Sequence, residues 1–179
     1  GNYYQAIDPE SESITYGIHS GSGFSINSSG LLSVSSAFDY ETTQSREITI
    51  KASAGNHTIY QTLVINITNI DETLYWNSFS TTASIDENTT NNNLLQISAT
   101  DPENQQIVYS ITHGGSGLSI NSSTGVISVN SPGFDYESEQ TRYINVRASA
   151  GSHFIDYNNI TININNLNEL PPSGTVTQS

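Results

Sequence analysis

Apolar residues fall on every other position along much of the chain. Ile107, Tyr109 and Ile111 alternate with polar neighbours. So do Ile127 and Val129, then Ile144, Val146 and Ala148, then Ile160, Ile162 and Ile164. A period of two puts each set on one face of a half-buried strand. Clusters of Gly, Asn and Ser punctuate these runs at close intervals, and no stretch of useful length has helical periodicity. The pattern predicts strands over 80–86 (A), 94–99 (B), 106–112 (C), 117–121 (D), 125–130 (E), 141–149 (F) and 154–166 (G). The fold class is all-β, a sandwich of about seven strands.

The same text is written twice. AIDPE (6–10) matches ATDPE (99–103), and ITYGI (14–18) matches IVYSI (107–111). SGFSINSSG (22–30) matches SGLSINSSTG (116–125), and FDYE recurs at 38–41 and 134–137. KASAGNH (51–57) matches RASAGSH (147–153), and NITNIDE (66–72) matches NINNLNE (163–169). The offset drifts from 93 to 97, which reads as small loop insertions between matched units. One unit is a whole domain rather than a solenoid turn. The expected domains are 1–72 and 73–169, with 170–179 approaching a following unit. Nothing ahead of the first unit matches STTASIDEN (80–88), so that unit reads as starting at strand B, without strand A. With no Met at position 1, the chain reads as a piece of something longer.

Charge sharpens this picture. Four Lys+Arg face 17 Asp+Glu, a net charge of −13. Such a surface repels phosphate backbones and anionic membranes and attracts cations. Nucleic acid is excluded as a partner, and no apolar run supports membrane insertion. Cys is absent, so no disulfide staples the fold. Abundant Ser, Thr and Asn fit an extracellular or cell-surface protein.

Strand parity places the acids. If consecutive strands reverse, the AB, CD and EF loops and the end of G share one pole; the BC, DE and FG loops share the other. Asp86-Glu87, FDYE and the end of G fall on the first, and Asp101-Pro102-Glu103 on the second. With their first-unit counterparts, these motifs hold thirteen of the 17 acids. Where one unit follows another, Asp39, Glu41, Asn69, Asp71 and Glu72 are expected to face Asp101 and Glu103. Two such charges ~5 Å apart repel by ~3 kcal/mol at an effective dielectric of ~20. The cluster needs cations, and a donor set of oxygen alone selects a hard one such as Ca²⁺. In Asp-Tyr-Glu, the acids project one way while Phe and Tyr anchor the loop.

At these residues the chain resembles the cadherin repeat in its bacterial form. The resemblance rests on Ile85-Asp86-Glu87-Asn88, Asp101-Pro102-Glu103, Phe134-Asp135-Tyr136-Glu137 and Asn166-Leu167-Asn168-Glu169-Leu170-Pro171. SINSSTGVI (119–127) is similar to the family's D–E hairpin. The resemblance covers nearly the whole chain. It implies two tandem seven-strand Greek-key sandwiches, the first without strand A, and calcium-stiffened arrays serving cell adhesion, in bacteria as parts of large surface adhesins. No catalysis is implied. It also implies partial calcium sites at Glu87, Asp135, Glu137, Asn166, Asn168 and Glu169, and at Asp8 and Glu10. The family's further Asp after strand F is Ala54 in one unit and Ala150 in the other. The linker Thr73–Trp76 lacks the usual Pro. One or two ions are therefore expected at the internal junction rather than three.

Asp-Pro is also an ordinary turn. Trp76, beside Tyr75 in the linker, is expected to pack between domains rather than bind a ligand. The four His read as surface residues, and the N-x-S/T sites as chance in an Asn-rich chain. Paired carboxylates suit glycoside hydrolysis, but repetition in every unit suits structure better than one active site. A glycan- or protein-binding module using loop Tyr and Asn is the alternative function. Partners are then adjacent repeats of the same protein, another copy, or a cell-surface glycan or protein. A unit without strand A exposes a sheet edge open to strand addition, with the tail after Pro172 as candidate donor.

Overall fold

The computed structural model describes residues 2–130 and 132–168, and among these every regular element is a strand. No described helix is long and apolar enough to cross a membrane. The chain divides into two compact units, Gly1–Asp71 and Glu72–Ser179.

The first unit holds β1 (Thr15–Ser20), β2 (Phe24–Ile26), β3 (Leu32–Val34), β4 (Ser45–Ala54) and β5 (His57–Asn66). One sheet has the order β1-β4-β5; β2 and β3 form a hairpin opposite it. An isolated bridge from Tyr3 to Leu31 brings the start of the chain alongside this hairpin. Leu32, Ile48 and Ile50 are buried, with Tyr4, Ile18, Phe24, Ile26, Leu63 and Ile65 packed against them.

The second unit holds β6 (Tyr75–Trp76), β7 (Thr82–Asp86), β8 (Asn91–Gln96), β9 (Ala99–Thr100), β10 (Val108–His113), β11 (Leu118–Ile120), β12 (Val126–Val129), β13 (Thr141–Ala150) and β14 (His153–Asn165). Its sheets are β10-β13-β14-β7 and β11-β12-β8, with β6 paired to β9. The alternating Ile127/Val129, Ile144/Val146/Ala148 and Ile160/Ile162/Ile164 sets all lie in its core. Both units are β-sandwiches built on one plan. The Tyr16 hydroxyl accepts from the Ala6 N–H at 3.0 Å in the first, and the Tyr109 hydroxyl accepts from Ala99 at 3.0 Å in the second. Gly30 (φ 77°) and Gly125 (φ 70°) turn into the E strand in both units. A Cβ on either would sit 2.0 Å from the Tyr4 carbonyl oxygen or 2.3 Å from that of Ile97, so neither position admits a side chain.

Three expectations change. Strand B does not run through 94–99: it breaks between β8 and β9, where Ile97 bonds to Gly125 and Ser98 to Asn77. Trp76 does not sit in a bare linker. It is in β6, opposite Ala99, and stacks edge-on against Phe79 and Tyr157 of its own unit. Finally, one step in the repeat offset is no loop insertion. β4 and β5 pair without interruption, whereas β13–β14 shifts register between Ile144 and Val146. Asn159 takes φ 64° there, and its N–H donates to Asn145 Oδ1 at 3.0 Å. The extra residue is a β-bulge. It lets Ile155 and Tyr157 lie on the core side along with Ile160, Ile162 and Ile164, although the parity of the numbering changes.

Candidate acidic metal centre

β7 runs parallel to β14, pairing Thr82–Asp86 with Thr161–Asn165. Parallel strands end together, so Asp86-Glu87 emerges beside Asn165–Leu167. The Glu87 N–H donates to the Asn165 carbonyl at 3.0 Å, and Asn165 Nδ2 donates to Asp86 Oδ1 at 2.9 Å. The link between β12 and β13 closes over the same end: the Asn88 N–H donates to the Phe134 carbonyl at 2.7 Å. Three separate sequence motifs thus meet at one pole of the second unit.

Glu87 is fully buried. Its Oε2 accepts from the Tyr136 N–H at 3.0 Å and its Oε1 from the Leu167 N–H at 2.6 Å. Buried charge is tolerable only with partners of this kind. Glu87, Asp135 and Glu137 each bring a carboxylate oxygen within 4.8 Å of the others'. Asn166 Nδ2 donates to Glu137 Oε1 at 3.0 Å. Asp135 is shaped by its own turn. The Ser138 hydroxyl bonds its Oδ2, and chiefly this hydrogen bond holds its carboxyl below the usual aspartate range. Asn168 is exposed at the same end; Glu169 lies outside the described residues.

The aromatic anchors behave as their alternation requires. Phe134 is buried and Tyr136 half-buried, while Asp135 and Glu137 face outward. Arg142 lies over the Phe134 ring at 5.2 Å. Its Nε donates to both Glu139 oxygens, at 2.7 and 2.9 Å, and its Nη1 to the carbonyls of Gly114 and Ser116. The loop is clamped from beneath.

In the first unit the equivalent loop repeats this geometry. Asp39 Oδ1 accepts from the Glu41 N–H at 3.0 Å, and Oδ2 from the Thr42 hydroxyl at 2.6 Å. The Thr42 hydroxyl is the main cause that lowers the Asp39 pKa. Glu41, Asn69 and Asp71 are exposed. Arg46 lies over Phe38 at 5.5 Å, but its buried Nε has no partner. The residue in the place of Glu139 is Thr43.

At the opposite pole of the second unit, the Glu72 N–H donates to Glu103 Oε1 at 3.1 Å. Asp101 is buried, 4% exposed, with Oδ1 accepting from the Gln105 N–H at 2.9 Å. Its Oδ2 is buried and meets no hydrogen-bond donor. A buried carboxylate oxygen without a donor is costly, and a cation is the natural way to satisfy it. The donor set is oxygen throughout, which fits Ca²⁺ with its 6–8 oxygen ligands. In the first unit, Asp8 Oδ1 likewise accepts from the Glu12 N–H at 3.1 Å, and Glu10 is exposed.

Glu12 was not among the residues singled out from the sequence. Its carboxylate lies over the Gly55 turn, so closely that a Cβ on Gly55 would be 2.3 Å from Oε2. It thus brings an acid to the turn where Ala54 replaces the resembled family's Asp. Gln105 takes the equivalent place in the second unit. Its one signal in the sequence was a position two residues beyond the Asp-Pro-Glu turn.

Residues 81–165 match the family model of the cadherin domain. The fold is that of solved cadherin ectodomain structures. It is similar to repeats 1–2 of human Protocadherin-24 (TM-score 0.64, 19% identity), covering 93% of this chain and 88% of that one. It is similar to repeats 22–24 of mouse Cadherin-23 (TM-score 0.63, 22% identity), covering 92% and 59%. Against repeats 1–4 of Drosophila N-cadherin the TM-score is 0.65 at 17% identity, covering 88% and 43%. The chain thus spans most of the first of these structures and less than two thirds of the other two. The cadherin domain is a non-enzymatic adhesion fold.

Proposed function

We propose that this chain, whose residues 81–165 are a cadherin domain, is a calcium-binding tandem-repeat module of an extracellular adhesion protein. The observation that carries the reading is the convergence of Glu87, Asp135 and Glu137 at one pole of the second unit. Glu87, at the end of β7, and Asp135 and Glu137, in the loop before β13, bring three carboxylates into one volume, a grouping that a bound cation would favour.

Calcium would supply positive charge and fixed coordination. The chain's own residues do the rest. Glu87, held by two backbone N–H groups, offers its oxygens from a rigid base. Asp135 and Glu137 offer theirs from a loop anchored by Phe134 and Tyr136, with Asn166 beside them. Following sequence order, Asp39, Glu41, Asn69 and Asp71 end one repeat, and Glu72, Asp101 and Glu103 begin the next. In the proposed array these two sets share calcium, which stiffens the join between repeats. Asp8 and Glu10 offer the same chemistry to a preceding repeat. The adhesion partners are adjacent repeats, a second copy, or a cell-surface ligand.

The test is a thermal melt of the chain in ~2 mM calcium against EDTA, since a ligand at 100 times its Kd stabilises by about 2.7 kcal/mol. Calcium is expected to raise the Tm, and changing Asp101 and Glu103 together to Ala to shrink the rise. An unchanged Tm would overturn the calcium reading.

A further inference from the structure

The two arginines beneath the Phe-Asp-Tyr-Glu loops sit on the same scaffold with different partners. In the second unit the Arg142 guanidinium is fully engaged. Its Nε donates to both oxygens of Glu139 and its Nη2 to one of them. Its Nη1 donates to the Gly114 and Ser116 carbonyls at 3.1 and 3.0 Å. The carboxylate thus takes the Nε–Nη2 edge of the fork, the pairing a guanidinium is shaped for.

The first unit repeats the scaffold without the carboxylate. Arg46 lies over Phe38 at 5.5 Å, as Arg142 lies over Phe134 at 5.2 Å. Gly21 packs on Glu47 and Ile48, as Gly114 packs on Tyr143 and Ile144. Ser22 stands in the place of Ser116, and Thr43 in that of Glu139. Every partner of Arg142 therefore has its counterpart within the first unit, and the change of chemistry is Thr43 for Glu139. Threonine is shorter than glutamate and carries no charge. The Arg46 Nε is buried and has no acceptor, and among the described residues Arg46 makes no ion pair. In a chain with four Lys+Arg against 17 Asp+Glu, a half-buried cation without an anion is the exception. A buried guanidinium N–H without an acceptor is costly, and a carboxylate satisfies Nε and Nη2 at once.

We propose that Arg46 is a binding site for a carboxylate brought by another molecule, in the place that the Glu139 carboxylate holds in the second unit. The ligand is a monocarboxylate, either a small free acid or the Asp or Glu side chain of another polypeptide. The proposal does not depend on the calcium reading, because Arg46 is not among the proposed metal ligands.

The test follows the full chain by NMR while acetate replaces chloride at constant ionic strength. Metal is removed on a chelating resin, since EDTA itself carries carboxylates. A saturable shift of the Arg46 Nε–H is expected, with the Arg142 signal unmoved because Glu139 already holds it. Thr43→Glu should abolish the response by supplying the carboxylate from within. Arg46→Lys keeps the charge and loses the fork; acetate binding, read at Phe38 and Thr43, should weaken at least tenfold. N-acetyl-glutamate N-methylamide is the second probe. Tighter binding than acetate assigns the site to a polypeptide side chain, and equal or weaker binding assigns it to a free acid. Absence of a saturable shift at Arg46 overturns the proposal. So does a response that moves Arg142 equally, survives Thr43→Glu, or is as strong in Arg46→Lys. Should Thr43→Glu fail to fold, the Arg46→Lys comparison decides. Because no metal is present, none of these outcomes bears on the calcium sites.

Discussion

Oε1 of Glu87 accepts a hydrogen bond from the backbone N–H of Leu167, 80 residues away, at 2.6 Å. The bond ties the exit of β7 to the exit of β14. With Tyr136 on the other oxygen, a single buried carboxylate pins three chain segments at the acidic pole. Glu87→Ala would leave two backbone donors without a partner. It is expected to destabilise the second unit by about 2–4 kcal/mol in EDTA. Glu87→Gln retains an acceptor and should cost about half as much. Urea unfolding of both variants, with and without calcium, measures this.

Arg46 offers a stabilising change. Its equivalent, Arg142, is held by Glu139, while in the first unit Thr43 stands in the place of Glu139 and the Arg46 Nε is unpaired. The two turns share their backbone geometry: the N–H of Thr43 donates to Asp39 and that of Glu139 to Asp135, each at 3.0 Å. Thr43→Glu should supply the missing carboxylate and raise the stability of the first unit by about 0.5–1 kcal/mol. Glu139→Thr should lower that of the second. Denaturant midpoints would check both.

The bulge in β14 depends on a left-handed residue. Asn tolerates φ near 60° and β-branched residues do not. Asn159→Gly should be nearly neutral, whereas Asn159→Val should cost about 1–2 kcal/mol. The same pair of changes at Thr62 in the uninterrupted β5 should reverse the order, since Val favours a regular strand. Thermal melts of the four variants decide it.

Asp39 and Asp135 give a pH signature. Hydrogen bonds from Thr42 and Ser138 lower both pKa values from the ordinary 3.8. A carboxyl depressed on folding contributes stability above its unfolded pKa and loses it as pH falls through the folded one. The loss therefore comes in acid, below pH 3.8. Thr42→Ala should move the Asp39 titration back up toward 3.8 while leaving Asp135 unchanged. NMR titration of the carboxyl carbons reads this directly.

The two units should also open unequally. β5 is an exposed edge over a small core, and β14 lies between β13 and β7. Amide hydrogen exchange is expected to be faster in β5 than in β14, because protection follows burial and pairing. Equal protection would show that the edge is covered in solution.

Much of this was legible in the residues. Period-two alternation identified the core faces of β12, β13 and β14, because a strand with one buried face must place its apolar side chains two apart. The doubled text exposed a doubled fold. Parity alone put Asp86-Glu87, FDYE and the end of G at one pole, since strands of odd rank run the same way. What the sequence could not reveal were matters of contact across space. The Glu87 bonds to Tyr136 and Leu167 exist only once β7 and β14 lie parallel. Trp76 reads as linker until Ala99 and Tyr157 are seen beneath it. The extra residue in β14 looks like any loop insertion until the register of β13 shows a bulge. Alternation is written locally because each side chain has only two faces to choose between. Which distant segment then covers a face is decided only when the chain has closed on itself.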